Sequence, residues 1–301
     1  MLESQSSRSF IASHFHSSSN ETESIYYKYS FHQKKKAKVC MVILHDLYDY
    51  HERYLFIDEL IANNQISEDV GIVWIDLKGF GLSSGARGYI DDFDEFTADI
   101  HSLIGEIEQL NDIFRDDCKI IFFGQGLGAL VALRYHQCFR DIDSNRLNGL
   151  VLVNPIIKLN EGPTHWSEFL FEKIKTPLHH FKWTTSIDLT QISSLKEEVN
   201  KMQSDVLVSN LITYKLYDEV VRIGKEVRED AYFLDIPTLC LLSQQDNLIK
   251  RNASTLFFKG ALKSVTSIKI YPNSSHDLVH DRDVLPAIHE VFDWLKVNYL
   301  K

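Results

Sequence analysis

The chain has few cysteines, and they lack the spacings that cysteine sites need. Four of its 301 residues are cysteines, Cys40, Cys118, Cys138 and Cys240, and no two of them form a C-x-x-C pair. This pattern indicates neither a disulfide framework nor structural zinc, and it is typical of reduced core thiols in a cytoplasmic protein. We expect neither a disulfide nor structural zinc, and we predict no metal site and no cofactor.

The chain also lacks a long apolar run and a basic stripe. No segment approaches the length that spans a bilayer, and the polar start carries no secretory signal pattern. The formal net charge of -10 disfavours binding to nucleic acid through its phosphates. The one basic run, Lys34 to Lys38, is typical of a solvated turn before a strand. These absences predict a cytoplasmic protein that does not bind nucleic acid.

Apolar runs and helical patterns alternate along most of the chain. The composition, with 44% apolar and 25% charged residues, is that of a globular protein. Continuous apolar strands that alternate with helices predict an α/β fold, with a mostly parallel central sheet and helices on both faces. The predicted strands are Val39 to Leu44, Gly71 to Ile75, Lys119 to Phe123, Gly149 to Val153, Thr238 to Leu242 and Ser267 to Ile270.

The alternation divides the chain into four parts. Residues 1–22 are predicted to be a polar tail, and residues 23–156 and 230–301 to form the core around an insertion at 157–229. The insertion has helical patterns without a strand, which predicts a helical cap. Its first part suits a lid over an apolar ligand, a surface in transient membrane contact, or a subdomain packed by its own aromatics. That part contains Trp166, Phe169, Leu170, Phe171, Lys173, Lys175, Lys182 and Trp183.

A glycine-rich turn follows the third predicted strand and opens an apolar helix. It reads Gly124-Gln125-Gly126-Leu127-Gly128. A G-x-S-x-G nucleophile elbow is such a strand-to-helix turn, with the serine lifted above the sheet and small residues beside it. Gly126 stands in the position of that serine and supplies no oxygen. Taken alone the turn is a weak signal, because glycines also serve phosphate loops and plain tight turns.

An aspartate and a histidine follow the last two predicted strands. Asp246 comes shortly after Thr238 to Leu242, and His276 follows Ser267 to Ile270. Catalytic groups of open α/β sheets lie beyond the carboxyl ends of the strands. Each residue alone is more typical of a turn or a surface position. Together, in the order nucleophile, acid, histidine, they match the arrangement of α/β-hydrolase triads.

Two further segments carry a resemblance to a known group. The run from Asp76 to Gly88, DLKGFGLSSGARG, is similar to the D-x-R-G-H-G-x-S-x-G-x-R-G run of one branch of the α/β-hydrolases. That branch comprises the monoacylglycerol lipases and lysophospholipase-like proteins, whose domain also carries the serine aminopeptidase label. His45-Asp46 with the downstream Arg53-Tyr54 resembles its H-G and R-Y residues. The resemblance extends from about Ile25 to Leu300 and implies an α/β-hydrolase fold with a helical cap.

The resemblance implies a role for each residue of the site. Gly126 stands at the nucleophile, Asp246 at the triad acid and His276 at the base. The backbone N–H groups of Leu47 and Leu127 would be the oxyanion donors.

The sequence departs from the family pattern at two of these places. Gly126 has no hydroxyl, so a covalent acyl-enzyme cannot form there. The family's glycine after His45 is Asp46, which brings a carboxylate beside the predicted oxyanion hole. Pointing inward, it would repel an oxyanion about 4 Å away by roughly 4 kcal/mol at an effective dielectric of 20. The alternative is that it turns to solvent.

These residues leave three functions open. The chain resembles enzymes that hydrolyse carboxylic esters of acyl lipids, and as written it is impaired or inactive, with residual turnover only through water activated by His276. A second function is binding of an apolar small molecule or acyl lipid in a pocket between core and cap. A third is a scaffold that uses the cap surface. The oligomeric state is not predicted.

Overall fold

An eight-stranded sheet forms the centre of the protein. The computed structural model describes residues 8–142, 146–160, 184–186 and 188–301. The strands lie in the order β1-β2-β4-β3-β5-β6-β9-β10. The β1/β2 and β2/β4 pairs are antiparallel, and the other pairs are parallel. The strands are β1 Arg8–Ser17, β2 Asn20–His32, β3 Ala37–Leu44, β4 Val70–Ile75, β5 Phe114–Gln125, β6 Leu147–Val153, β9 Thr238–Ser243 and β10 Thr266–Tyr271. All six predicted strands are confirmed.

Helices cover both faces of this sheet. The described α-helices are α1 Phe56–Ala62, α2 Asp94–Glu108, α3 Leu127–Phe139, α4 Lys196–Ser204, α5 Tyr214–Glu229, α6 Arg251–Gly260 and α7 Val284–Tyr299. Helices α1 and α7 pack on one face, and α2, α3, α5 and α6 contribute to the core on the other. Successive side chains of a strand point to opposite faces, so the buried part of β3, from Val39 to Leu44, is apolar at every position to serve both. The α/β-hydrolase architecture is confirmed.

The prediction of a polar tail over residues 1–22 is wrong for its described part. Residues 8–17 form β1, which pairs with β2 along its length and makes one edge of the sheet. The buried Arg8 guanidinium binds Asp58 at 2.8 Å, and the Ser17 hydroxyl donates to Asp99 at 2.9 Å. An edge strand has one neighbour and a largely solvated surface, so its sequence is polar and lacks the continuous apolar run that predicts a buried strand.

The insertion is helical, as predicted, over α4 and α5. It also contains a short antiparallel pair, β7 Thr184–Ser186 with β8 Leu211–Thr213, which the helical pattern did not predict. The predicted aromatic and lysine-rich part of the cap, from 166 to 183, lies outside the described residues. None of the described helices is long and apolar enough to cross a bilayer.

Candidate functional site

The glycine-rich turn joins β5 to α3 at the carboxyl edge of the sheet. Gly126 has φ 52° and ψ -108°, a backbone conformation that side-chain-bearing residues rarely adopt. Its neighbours leave no space for larger residues: a Cβ on Gly124 would lie 2.6 Å from the Gly128 carbonyl carbon, and one on Gly128 would overlap Leu44. The turn therefore has the tight geometry of a nucleophile elbow, in a conformation that would be strained for a residue with a Cβ and that the glycine at its tip adopts freely.

The carboxyl group of Asp46 occupies the space above Gly126. An ideal Cβ on Gly126 would overlap the Asp46 carboxyl carbon and both of its oxygens. Asp46 Oδ1 accepts hydrogen bonds from the backbone N–H groups of Leu47 at 2.7 Å and Leu127 at 2.8 Å. These are the two amides that the resemblance implies as oxyanion donors. Asp46 is fully buried and points inward, so of the two orientations left open by the sequence the inward one occurs.

His276 joins Asp46 to Asp246. Its Nε2 lies 2.9 Å from Asp46 Oδ2, and its Nδ1 lies 2.7 Å from Asp246 Oδ2. An ionised carboxylate only accepts hydrogen bonds, so an imidazole that bonds two carboxylates must donate from both nitrogens and carry a positive charge. We call Asp46, His276 and Asp246 the carboxylate bridge.

The electrostatics of the site agree with this charge assignment. Burial alone lowers the pKa of His276, but Asp246 and Asp46 outweigh it and raise this pKa well above its ordinary value. Burial likewise acts to raise the pKa of Asp46, but His276 and the two amides lower it below its ordinary value. The raised pKa and the two hydrogen bonds both favour an imidazolium at His276, whose Nε2 is not free to accept a proton.

Two residues to which the sequence analysis assigned no role hold the loops of the site. The side chain of His45 donates from Nδ1 to the Asp46 carbonyl at 2.7 Å and accepts from the Leu77 N–H at 2.9 Å. Asn154, at φ 42°, donates to the carbonyl of His276 at 2.7 Å. His45 belongs to the family-like run, which could have indicated its role. Asn154 follows β6 directly, a position that could have marked it as a loop residue at the carboxyl edge.

A second buried charge cluster lies beside the bridge. The Arg53 guanidinium contacts Asp277 Oδ2 and Asp49 Oδ1, each at 2.7 Å. Asp277 Oδ1 also accepts from His280 Nδ1 and from the Gln125 side-chain amide, both at 2.7 Å. Burial alone raises the pKa of Asp277, but His280 and Arg53 hold it below its ordinary value. The cluster ties the elbow, the turn after β3 and the histidine loop together.

The second cluster also contains the one described group of side chains spaced to hold a metal ion. Potential ligand atoms of Asp49, Asp277 and His280 lie within 4.8 Å of one another. However, the Arg53 guanidinium already bridges both carboxylates. Both ring nitrogens of His280 are also engaged, because Nε2 bonds the Arg53 carbonyl at 2.6 Å. The positive charge that these carboxylates need is therefore supplied by the chain itself.

The structure brings every predicted site residue to one place. The carboxylate bridge meets Gly126 and the amides of Leu47 and Leu127, and the roles of these groups in chemistry stay predictions. The pocket predicted between core and cap also stays a prediction. A cavity of about 160 Å³ lies elsewhere, beside the end of α3, where Tyr135, Arg140 and Asp235 contribute to its lining.

Comparisons with known proteins agree with this architecture. The chain is 21% identical over 253 residues to the phospholipase YtpA of Bacillus subtilis, covering 84% of this chain and 91% of that protein. It is 23% identical over 270 residues to the monoglyceride lipase of Mus musculus, covering 86% and 82%.

Solved structures show the same fold. The crystal structure of Paleococcus ferrophilus monoacylglycerol lipase superimposes with a TM-score of 0.74 at 19% identity, covering 95% of this chain and 98% of that one. A soluble variant of the Saccharomyces cerevisiae monoglyceride lipase, in complex with a substrate analogue, superimposes with a TM-score of 0.72 at 16% identity over 92% of both chains.

The profile of one family matches most of the chain. Its description is serine aminopeptidase, S33, and the match covers residues 35–283. That range includes the elbow, the carboxylate bridge and the second cluster. The chain therefore belongs to the serine aminopeptidase S33 family of α/β-hydrolases, and within it resembles the monoacylglycerol lipases.

Proposed function

We propose that this protein recognises an acyl lipid or a similar apolar molecule and does not hydrolyse it by the acyl-serine route. The observation that carries the proposal is the position of the Asp46 carboxyl group. It fills the space above Gly126 and occupies both amides that would stabilise an oxyanion. A substrate carbonyl cannot take those hydrogen bonds while Asp46 holds them.

The same contacts argue against residual hydrolysis through water. A general base must have a free lone pair within reach of the proton that it removes. His276 Nε2 is 2.9 Å from Asp46, and the pKa of His276 is raised well above its ordinary value, after burial is outweighed by both carboxylates. Its imidazolium form therefore has no site for a proton from water.

Asp46 is also poorly suited to replace the serine as a nucleophile. Its carboxylate accepts two amide N–H groups and one imidazolium N–H, and its pKa lies below the ordinary value after these contacts overcome burial. Hydrogen bonds that stabilise the ionised form lower the reactivity of its lone pairs. The contacts thus favour recognition over covalent chemistry.

Support for a lipid-like ligand comes from the relatives. They include a monoglyceride lipase and a phospholipase, and a neighbouring structure was solved with a substrate analogue. A pocket between core and cap suits such a ligand by the usual geometry of the fold. Its acyl chain would contact apolar side chains and would not need the carboxylate bridge.

The test combines labelling, turnover and binding on the purified protein. We expect no labelling by a fluorophosphonate, no hydrolysis of short- or long-chain esters, and a rise in melting temperature with a long-chain monoacylglycerol. Asp46→Asn, which keeps the shape of the side chain, is the matched variant and should retain the ligand-induced rise. Ester turnover by the parent that His276→Ala abolishes would contradict the proposal. The absence of both turnover and a thermal shift would favour a scaffold role.

A further inference from the structure

The groups around the Asp46 carboxyl make a complete binding site for a carboxylate. One oxygen accepts two backbone N–H groups, at 2.7 and 2.8 Å, and the other accepts from the His276 imidazolium at 2.9 Å. All the residues concerned are buried, so water does not compete for these donors. The number, charge and directions of the donors match the two oxygens of one carboxylate.

These donors do not depend on the side chain that they bind. The Leu127 N–H belongs to the first turn of α3, where the aligned peptide dipoles favour an anion. The Leu47 N–H lies in a loop that His45 holds in place, because His45 Nδ1 donates to the Asp46 backbone carbonyl at 2.7 Å. His276 is held from its other side by Asp246 at 2.7 Å. Truncation of the Asp46 side chain would therefore leave the site formed and empty of its anion.

We infer that Asp46 is an internal ligand of a monocarboxylate site, and that it keeps free carboxylates out of this site. This goes beyond the recognition of an apolar molecule, because it concerns the anion site at the elbow and not the acyl chain. The internal carboxylate is attached to the loop that supplies one of the donors. It therefore competes with dissolved carboxylates at a high effective concentration.

The shape of the side chain identifies the small molecule that should replace it. Replacement of Asp46 by glycine removes a CH₂–COO⁻ unit, which acetate matches in size and charge. Formate would leave a void where the methylene was, and a bulky carboxylate such as pivalate would overlap the neighbouring backbone. Chloride carries the charge but offers a single atom where the donors face two oxygens.

The experiment compares the parent and Asp46→Gly in acetate, formate, pivalate and chloride at equal ionic strength. Acetate should raise the melting temperature of the variant in a saturable manner, more than formate does, with no effect of pivalate beyond that of chloride. The parent should show no acetate-specific shift. An acetate response of equal size in both proteins, or in neither, would overturn the inference.

A second variant covers the case in which Asp46→Gly does not fold. Asp46→Asn still fills the space and can accept from both amides, but its NH₂ group must donate to His276. The imidazole then has to accept at Nε2, so its NMR signals should show a singly protonated ring where the parent shows an imidazolium. A doubly protonated His276 in this variant would show that no anion is required there, and the inference would fail. Failure here leaves the lipid-binding proposal intact, because that proposal is tested by monoacylglycerol and not by acetate.

Discussion

A serine introduced at position 126 should destabilise the protein unless Asp46 is removed as well. A side chain at 126 would overlap the Asp46 carboxyl group, and the backbone there has φ 52°. Gly126→Ser must therefore expel the carboxylate from its three hydrogen bonds or distort the elbow. We expect the single variant to be destabilised and to remain unlabelled by a fluorophosphonate.

The structure allows the size of this loss to be worked out. A residue with a Cβ in a strained backbone region costs about 1–3 kcal/mol. Breaking a buried ion pair by displacing one partner costs about 3–5 kcal/mol, because the remaining charges lose their compensation. These contributions are not additive, so we expect the free energy of unfolding to fall by about 5 kcal/mol. For a domain of this size the melting temperature would fall by roughly 10–20 °C.

The double variant Asp46→Gly/Gly126→Ser removes the overlap. His276 then faces a serine hydroxyl, and the amides of Leu47 and Leu127 become free for an oxyanion. The free energy of unfolding lost in the double variant should be smaller than the sum of the two single losses by about 3 kcal/mol, the upper end of measured pairwise couplings. Its introduced hydroxyl should also react with a fluorophosphonate.

A double-mutant cycle at positions 46 and 126 tests this. It compares urea unfolding and fluorophosphonate labelling of the parent, both single variants and the double variant. Asp46→Gly/Gly126→Ala is the control that restores the fit without a nucleophile, and it should stay unlabelled. If Gly126→Ser alone is as stable as the parent and is labelled, then Asp46 leaves its position at little cost. The steric reasoning would then be refuted.

Three further predictions concern buried charges. His276 has a raised pKa, because burial is outweighed by its carboxylate neighbours. Its contribution to stability is therefore full below about pH 6.5 and is lost as the pH rises through the folded-state pKa. Above about pH 6.5 the free energy of unfolding in urea should fall more steeply with pH in the parent than in Asp46→Asn, and equal slopes would contradict the charge assigned to His276. Arg53→Ala should cost about 3–5 kcal/mol by leaving two buried carboxylates without their cation, and adding Asp277→Asn should recover part of this loss; chemical denaturation of both variants measures it. Arg8→Ala should release β1 from the sheet edge, so the β1 amides should exchange hydrogen faster than in the parent while those of the central strands do not. Unchanged exchange of the β1 amides would argue against an anchoring role.

The central sheet and the members of the bridge could be predicted from the sequence. The inner part of strands such as β3 and β5 is continuously apolar, because a strand covered on both faces has no polar option. Asp246 follows such a strand, β9, and His276 follows its parallel neighbour β10, so the edge of the sheet on which they meet is implied by the parallel topology.

Three features could not be predicted in the same way: the pairing of β1 with β2, the contacts of Asp46, and the second cluster. Strand β1 lies at an edge and has a polar outer surface, so its composition resembles that of a tail. The direction of the Asp46 side chain depends on whether Gly126 leaves room for it, which is a contact between two loops far apart in sequence. The resemblance singles out Arg53 as part of an R-Y pair, but it does not indicate that the Arg53 guanidinium binds Asp49 and Asp277.

The overlap between positions 46 and 126 also restricts the order in which a lineage can change them. In a chain with serine at the elbow, an aspartate at position 46 would meet the serine side chain before it reached the two amides. A glycine at the elbow, by contrast, removes the hydroxyl and opens the space in one step. A lineage that started from serine would therefore lose the nucleophile before it gained the carboxylate. With both residues present, a serine at 126 alone would overlap the Asp46 carboxyl group, and loss of the carboxylate alone would leave its three donors without their acceptor. Each residue therefore restricts change at the other.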